Sequence, residues 1–296
     1  MFLIIGASGL IGNHIYNRCL KISKTVVGTS TTGIQDGMIK YRIGSDDPEE
    51  LLGVFSGHAK ENNYAIIAGA ITNLNDCFYN QTESEKVNIN GTMELIKVLD
   101  ENDVKVVFLS SDCVFDGMSG NYTEKDSTNP ICVYGKQKEK IEKFVLREIP
   151  EGVIFRISKQ FDVTMDKRHL FSDLYRSMQE KKIRCIDGLI FNPTYVEDTA
   201  ECIIKGCDAQ IKGLYNLAAP ESFERYTLAE MFVDIMNAKD VEITRENEEN
   251  FHFPEPRALN MSMQTQKISI DIGHKFKDVE SMMYIFRDYV RKEDIQ

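Results

Sequence analysis

Tyr134 and Lys138 are the residues of this chain best suited by type and spacing to proton chemistry. They stand four residues apart in a charged segment, residues 134–148, whose helical spacing places both on one helix face. A lysine near a tyrosine stabilises the phenolate and lowers its pKa. The tyrosine can then exchange a proton with a carbonyl or alcohol oxygen as a hydride moves. Ser111 directly follows an apolar run at 104–109 and could hydrogen-bond the same oxygen.

A glycine-rich turn precedes this pair near the start of the chain. It runs from Gly6 to Gly12 with Gly9 between, after an apolar run and before a segment with helical spacing. Glycines at such a turn let the backbone approach a pyrophosphate and let the helix pack closely on the strand. The free N–H groups of the helix start would then face the phosphates. The position of the turn therefore predicts a dinucleotide site.

The end of the second predicted strand bears on which dinucleotide binds. A carboxylate there would bind the ribose hydroxyls of NAD and repel the 2′-phosphate of NADP. Residues 26–32 contain no acid and carry four consecutive hydroxyl side chains, from Thr29 to Thr32. Hydroxyls donate hydrogen bonds to phosphate oxygens. The sequence thus favours NADP(H), and NAD(H) stays open because no Arg or Lys stands among these residues.

Strands and helices alternate through residues 1–158, which predicts βαβ units and a doubly wound parallel sheet of the Rossmann type. Residues 159–296 are less regular. They predict mainly a smaller α/β substrate-binding lobe, with a strand near 213–218 returning to the sheet. The predicted fold class is therefore α/β, with a Rossmann domain at 1–158 and a lobe at 159–296.

Three local expectations concern the connecting segments. Residues 83–99 have the spacing of one continuous helix. Residues 227–237 also predict a helix, with Thr227 as its N-cap and Glu230 completing a capping box. The segment 245–256 is polar and contains proline, so we expect a loop there.

Composition limits the partners and the compartment. The chain has 296 residues, a net charge of −11 and a pI of about 5.1, which argues against nucleic acid or an anionic membrane as partner. No apolar stretch is long enough for a membrane span, and no basic leader precedes the first strand. Seven cysteines without metal-binding spacing indicate reduced thiols in the cytoplasm. The five scattered histidines predict no metal site.

Several motifs together resemble the extended short-chain dehydrogenase/reductases, and within them the dTDP-4-dehydrorhamnose reductase (RmlD-like) sugar-nucleotide reductases. The resemblance covers nearly the whole chain. Besides the glycine turn, it rests on Ala68-Gly69-Ala70, Val87-Asn88-Ile89-Asn90-Gly91, Leu109-Ser110-Ser111-Asp112-Cys113-Val114-Phe115-Asp116-Gly117, Val133-Tyr134-Gly135-Lys136-Gln137-Lys138, Asn192-Pro193-Thr194-Tyr195-Val196-Glu197-Asp198-Thr199-Ala200 and Gly213-Leu214-Tyr215-Asn216-Leu217-Ala218.

The resemblance implies roles for individual residues. The catalytic residues would be Ser111, Tyr134 and Lys138. Besides Tyr134 and Lys138, the cofactor would be bound by Gly6, Ser8, Gly9, Leu10, Ile11, Gly12, Thr29, Ser30, Ala68, Gly69 and Ala70. The substrate would be bound by Asp112, Cys113, Val114 and Arg156. Arg156 reads equally well as a substrate-side cation or as a salt bridge at the end of a strand.

The chain departs from the family pattern where substrate should lie. Cys113 stands in place of a tyrosine, and Lys159 lies in a segment where the group has a tryptophan. The chain contains no Trp. These changes leave the reductase chemistry intact and leave the identity of the sugar open.

The resemblance implies an NADP(H)-dependent reductase of a 4-keto nucleotide sugar, and it leaves a homodimer open. Two alternatives remain. An epimerase or dehydratase would use the same residues with a retained NAD. A non-catalytic regulatory subunit that binds NADP is the second, because the β subunit of methionine adenosyltransferase is similar to this same group.

Overall fold

The computed structural model describes residues 1–32 and 38–293, and the chain alternates between strands and helices over most of that length. The strands are β1 (Phe2–Ile5), β2 (Val26–Ser30), β3 (Met38–Lys40), β4 (Tyr64–Ile67), β5 (Lys105–Ser111), β6 (Val153–Ile157), β7 (Gln160–Phe161), β8 (Lys182–Ile186), β9 (Ile190–Phe191), β10 (Thr194–Tyr195), β11 (Gly213–Leu217), β12 (Phe223–Glu224) and β13 (Glu242–Glu246). The helices are α1 (Leu10–Lys21), α2 (Leu74–Tyr79), α3 (Gln81–Glu85), α4 (Thr92–Glu101), α5 (Val133–Glu148), α6 (Leu170–Gln179), α7 (Val196–Asp208), α8 (Arg225–Met236), α9 (Gln266–Ile272) and α10 (Val279–Glu293).

Seven parallel strands form the central sheet, in the order β11-β6-β5-β4-β1-β2-β3. The order reverses between β1 and β4, which is where doubly wound sheets bind ligands at the carboxyl ends of their strands. This architecture confirms the α/β Rossmann prediction. In the sheet, β11 pairs with β6, so a strand from the second half of the chain forms one edge.

Helices cover both faces of the sheet, which explains why its strands are continuous apolar runs. Successive residues of β1 point to opposite faces: Phe2 and Ile4 pack with α1 and α7, whereas Leu3 and Ile5 pack with α4 and α5. Each fully buried Leu or Ile contributes about 1.5–3 kcal/mol to stability. The two cores hold the strand ends, and hence the site, in fixed positions.

A smaller lobe lies beyond the sheet and has its own core. Its strands form three short pairs, β7 with β10, β8 with β13 and β9 with β12. Four phenylalanines lie at its centre, contributed by β7, α6, α8 and α10: Phe161, Phe171, Phe232 and Phe286. The division of the chain into two domains at residue 158 stays a prediction.

Two local expectations need correction, and a third holds with one added detail. Residues 83–99 are helical as expected, and a π-helical turn over Lys86–Gly91 joins α3 to α4. Helix α8 begins at Arg225, and Glu224 rather than Thr227 is its N-cap, because β12 pairs with β9 up to Glu224 and fixes the helix start. The segment 245–256 begins with the end of β13, which pairs with β8 despite its polar sequence.

His14 connects α1 to the second half of the chain. Its Nδ1 lies 2.6 Å from Glu197 Oε1, and its Nε2 lies 2.9 Å from Asp162 Oδ2. Burial alone would lower the pKa of His14, but hydrogen bonds and charges from the two carboxylates outweigh it and raise the pKa from 6.5 to about 9. The imidazolium therefore stabilises the contact between α1, α7 and the segment after β7.

This shift predicts a pH-dependent stability. A raised folded-state pKa contributes stability that is fully present below the unfolded pKa and is lost as pH rises through the folded value. We expect the free energy of unfolding of the wild type, measured against His14→Gln, to fall by about 3 kcal/mol between about pH 6 and about pH 10. Urea unfolding across this range measures it. The same pH slope for both proteins would contradict the ion-pair assignment.

Candidate active site

A cavity of about 820 Å³ lies between the carboxyl ends of the sheet strands and the smaller lobe. The sheet side contributes the glycine turn, the segment after β4 and the end of β5. The lobe side contributes Leu189, Phe191 and Arg225, together with Arg257 from the segment between β13 and α9. The cavity is thus bounded by elements from both halves of the chain, and ligands bind in such clefts.

The glycine turn before the N-terminus of α1 has no room for side chains. Gly6 has φ +83°, and a Cβ there would lie 2.7 Å from Gly69 Cα. A Cβ on Gly12 would lie 2.2 Å from the carbonyl oxygen of Gly6. Among residues 1–32 and 38–293, no side chain caps the N-terminus of α1 at Gly9, and the first residues of this helix line the cavity. The turn has the close backbone and the unpaired donors that a pyrophosphate needs.

Most residues predicted to bind the cofactor line the cavity, and two do not. Lining it are Gly6, Ser8, Gly9, Leu10, Ile11, Gly12, Ala68, Gly69 and Ala70. Thr29 is 1% and Ser30 2% exposed, so neither side chain faces the cavity. The Thr29 hydroxyl instead accepts a hydrogen bond of 3.0 Å from the Gly6 N–H. Strand β2 continues through Ser30, so the first residue of the hydroxyl run 29–32 to line the cavity is Thr31. This corrects the prediction for Thr29 and Ser30.

Ser111, Tyr134 and Lys138 all line the cavity. Ser111 ends β5, and its hydroxyl donates to Asp112 Oδ1 at 2.9 Å. Tyr134 lies in the first turn of α5. The start of this helix is fixed by its N-cap Cys132, whose Sγ accepts a hydrogen bond of 3.3 Å from the Gly135 N–H. The sheet and one helix therefore position the three predicted catalytic side chains around one space.

The pKa of Tyr134 differs from the sequence expectation. Burial, with the nearby Cys113 and Asp112, raises the pKa of the phenol well above its ordinary value. The Lys138 ammonium lies 5.6 Å from the Tyr134 ring centroid and donates to the Leu109 carbonyl at 2.8 Å. Burial also lowers the pKa of Lys138 to about 8. Because burial dominates both groups, Tyr134 keeps its proton at neutral pH.

Two of the residues predicted to bind substrate face the cavity. Asp112 and Cys113 line it, and burial raises the pKa of the Asp112 carboxyl despite hydrogen bonds from Ser111 and Ser158. Val114 does not, because its side chain is 0% exposed and packs against Phe115 in a separate apolar cluster. The structure therefore does not bring the Val114 side chain to the cavity.

Arg156 is a structural cation. Its Nη2 lies 2.7 Å from Glu142 Oε2 and its Nε 3.0 Å from Glu142 Oε1. Both side chains are at most 3% exposed, and the Ser110 hydroxyl donates to the same carboxylate at 2.5 Å. The guanidinium also lies 4.8 Å from the Phe115 ring centroid. Of the two readings of Arg156, the salt bridge between β6 and α5 is correct and the substrate-side cation is wrong.

This assignment predicts that Arg156 matters for stability. Removing one partner of a buried ion pair leaves an uncompensated charge, which costs about 3–5 kcal/mol. We expect Arg156→Met to lower the free energy of unfolding by about 3 kcal/mol, and the double variant Arg156→Met with Glu142→Leu to recover much of that loss. Urea denaturation measures both. A stable Arg156→Met protein with only a raised KM would instead restore the substrate-side reading.

The π-helical turn connects two segments that border the cavity. Asn88 donates to the Ile71 carbonyl at 2.8 Å and accepts from the Ile71 N–H at 2.9 Å. It also donates to Gln137 Oε1 at 2.8 Å, on the catalytic helix α5. Asn88 thereby ties the segment after β4 to α5. The sequence marked Asn88 only through its motif, because a π-helical turn has no local signature there.

Sequence reasoning missed four cations that line the cavity: Lys159, Arg168, Arg225 and Arg257. They come from distant parts of the chain and share no motif. Lys159 offered one signal, since it lies where the family pattern has an aromatic residue. Among the described residues no group of His, Cys, Asp and Glu side chains could hold a metal ion, and no helix is long and apolar enough to cross a membrane.

Comparison with known proteins places this geometry in a family. The zebrafish (Danio rerio) methionine adenosyltransferase 2 subunit beta is 25% identical over 244 residues, covering 79% of this chain and 73% of that protein. The dTDP-4-dehydrorhamnose reductase of Aggregatibacter actinomycetemcomitans is 29% identical over 152 residues, 51% of each chain. The structure of Bacillus anthracis dTDP-4-dehydrorhamnose reductase in complex with NADP superposes with a TM-score of 0.81 at 19% identity, covering 98% of both chains.

The family comparison covers nearly the entire sequence. The family described as RmlD substrate binding domain matches residues 1–287. That span includes the glycine turn, the end of β5, helix α5 and the smaller lobe. The resemblance inferred from the sequence motifs is thereby confirmed, and the chain belongs to the RmlD substrate binding domain family.

Proposed function

We propose that this protein is an NADP(H)-dependent reductase of a 4-keto nucleotide sugar. The observation that carries the proposal is the placement of a protonated Tyr134, with Ser111 and Lys138, at one cavity that also contains the glycine turn. A tyrosine that keeps its proton is a proton donor, which suits reduction of a carbonyl. Two relatives named as dTDP-4-dehydrorhamnose reductases support the same reaction class.

The residues at the glycine turn fit a nicotinamide dinucleotide. Gly6, Gly9 and Gly12 leave the space that side chains would fill, and the N-terminus of α1 offers free donors. NADPH supplies a hydride when bound. The absence of an acid from residues 26–32 supports NADP(H), and NAD(H) remains the alternative. The NADP bound to the Bacillus anthracis relative agrees with this preference.

Each catalytic side chain has a distinct task in the proposed reaction. Tyr134 donates its proton to the carbonyl oxygen of the substrate. Ser111 turns its hydroxyl from Asp112 to that oxygen and orients it. Lys138 lies beside Tyr134, and a charged ammonium there stabilises the phenolate that remains.

The seven unpaired cysteines support a reducing compartment such as the cytoplasm for this reaction.

The proposal is tested by cofactor binding and by turnover. NADPH and NADH are titrated against the purified protein by fluorescence, and dTDP-, UDP- and GDP-linked 4-keto sugars are then added. We expect tighter binding of NADPH than of NADH, and oxidation of NADPH with one of the sugars. No binding of either dinucleotide would overturn the proposal. Tightly bound NAD in the purified protein, released only on denaturation, would favour an epimerase or dehydratase.

A second candidate is a non-catalytic subunit that binds the cofactor. The similarity to a protein named methionine adenosyltransferase 2 subunit beta, over 79% of this chain, favours it. Affinity purification of the tagged full chain separates the two functions. A stoichiometric partner chain, together with NADPH binding and no turnover on any 4-keto sugar, would favour the subunit.

A further inference from the structure

Two cations on the lobe side of the cavity form no salt bridge with the residues that the structure describes, although the charge of Asp173 acts on both. Lys159 follows β6 directly, and Arg225 begins α8. Both line the cavity, and neither side chain makes a hydrogen bond or ion pair with any residue in 1–32 or 38–293. The Nη1 atom of Arg225 is buried without a partner. A buried guanidinium nitrogen with no acceptor is costly, so its partner is expected to be a ligand.

Three of the other charged groups of the cavity already have partners. Arg168 Nε donates to Asp173 Oδ1 at 2.8 Å. Arg257 bonds the Asn75 side chain and lies 3.7 Å from Glu255, although its Nη1 atom has no hydrogen-bond partner among the described residues. The Asp112 carboxylate accepts the Ser111 hydroxyl. The cavity therefore holds an excess of positive charge at Lys159 and Arg225.

The charged form of Lys159 is disfavoured by Arg225. The Lys159 side chain reaches the water of the cavity, but protein atoms surround most of it. The largest cause that lowers the pKa of its ammonium is this desolvation, and the second is repulsion from Arg225. Burial likewise lowers the pKa of Arg225. A ligand anion between them would relieve both the desolvation and the repulsion.

Lys159 lies at the end of the cavity where reduction takes place. The residue before it, Ser158, donates to Asp112, and Asp112 in turn binds the Ser111 hydroxyl. In a hexose the anomeric phosphate leaves the ring opposite C4, whereas a carboxylate on C5 is adjacent to C4. A cation beside Ser111 is therefore closer to a C5 carboxylate than to the diphosphate.

We propose that Lys159 and Arg225 bind a carboxylate on the sugar that is reduced, so that the substrate is a nucleotide-linked 4-keto sugar acid. This inference rests on the proposed reductase function and names its substrate class. Lys159 is then a specificity-determining residue. A tryptophan at this place, as in the family pattern, would offer an apolar face to a neutral sugar instead.

The test compares two nucleotide sugars that differ only in this carboxylate. UDP-glucuronate and UDP-glucose are titrated by calorimetry into protein saturated with NADPH, where neither sugar is turned over. We expect UDP-glucuronate to bind about tenfold more tightly, and Lys159→Met to abolish that preference. Lys182→Met, on an exposed strand position away from the cavity, is the matched control and should keep it.

Each other outcome overturns the inference. Equal binding of the two sugars, with Lys159→Met weakening both equally, would assign the cations to the diphosphate. No effect of Lys159→Met, or no binding of either sugar to NADPH-saturated protein, would remove the anion site altogether. NADPH affinity of every variant is measured in parallel, because loss of NADPH binding by the wild type would overturn the proposed reductase function itself.

Discussion

Replacing Tyr134 by Phe is expected to lower kcat/KM for NADPH oxidation by about 10³-fold, because the substitution removes only the hydroxyl that donates the proton. The ring stays, so its packing against Cys77 and Cys132 is kept. Steady-state rates with the 4-keto sugar identified by the substrate panel give the ratio. The loss should appear mainly in kcat, because the interaction is made with the oxygen that gains negative charge in the transition state.

The control for this variant is Tyr79→Phe, which also removes one tyrosine hydroxyl. Tyr79 is 70% exposed and does not line the cavity. Its variant should retain wild-type activity and should bind NADPH as the wild type does. A Tyr134→Phe enzyme with more than about a tenth of wild-type kcat/KM would exclude Tyr134 as the proton donor.

Substituting Gly12 by Ala is expected to weaken NADPH binding by at least about 100-fold. The new Cβ would lie 2.2 Å from the Gly6 carbonyl oxygen, so the turn itself must move. A moved turn no longer presents its N–H groups to the pyrophosphate, and misplaced donors lose most of their interaction energy. Fluorescence titration with NADPH measures the change.

Two further glycines provide a graded series. A Cβ at Gly9 would lie 3.3 Å from the same oxygen, so Gly9→Ala should weaken binding less. A Cβ at Gly53 would meet no atom of the described residues within 4 Å beyond its chain neighbours, so Gly53→Ala should bind NADPH as the wild type does. Circular dichroism establishes that each variant is folded. Unchanged NADPH affinity in a folded Gly12→Ala protein would show that the turn does not bind the cofactor.

The fold was accessible from the sequence because its signals are local. A fully buried parallel strand such as β1 must be an uninterrupted apolar run, and a helix covering it must repeat its apolar residues at helical spacing. Gly6 to Gly12 and the Tyr134–Lys138 pair are equally local. Their positions relative to the strands predicted which edge of the sheet would contain the site.

The direction of individual side chains was not accessible in the same way. Thr29 lies at the right point of the chain, but the pleat of β2 turns its hydroxyl to Gly6 rather than to the cavity. Arg156 is paired with Glu142, which lies fourteen residues away on another element, so no local pattern identifies the partner. Lys159 and Arg225 lie far apart in the chain and line the same cavity only in the folded structure. Such contacts depend on the tertiary structure.

Transfer of deuterium from the cofactor tests the reductase function most directly. NADPH with both C4 hydrogens of the nicotinamide replaced by deuterium is incubated with the protein and a 4-keto nucleotide sugar, and the sugar is analysed by mass spectrometry and NMR. We expect one deuterium on the carbon that carried the carbonyl, with one NADPH oxidised per sugar reduced. A rearranged sugar without deuterium and without net oxidation of NADPH, or an unchanged sugar with NADPH bound, would contradict the assignment of this protein as a reductase.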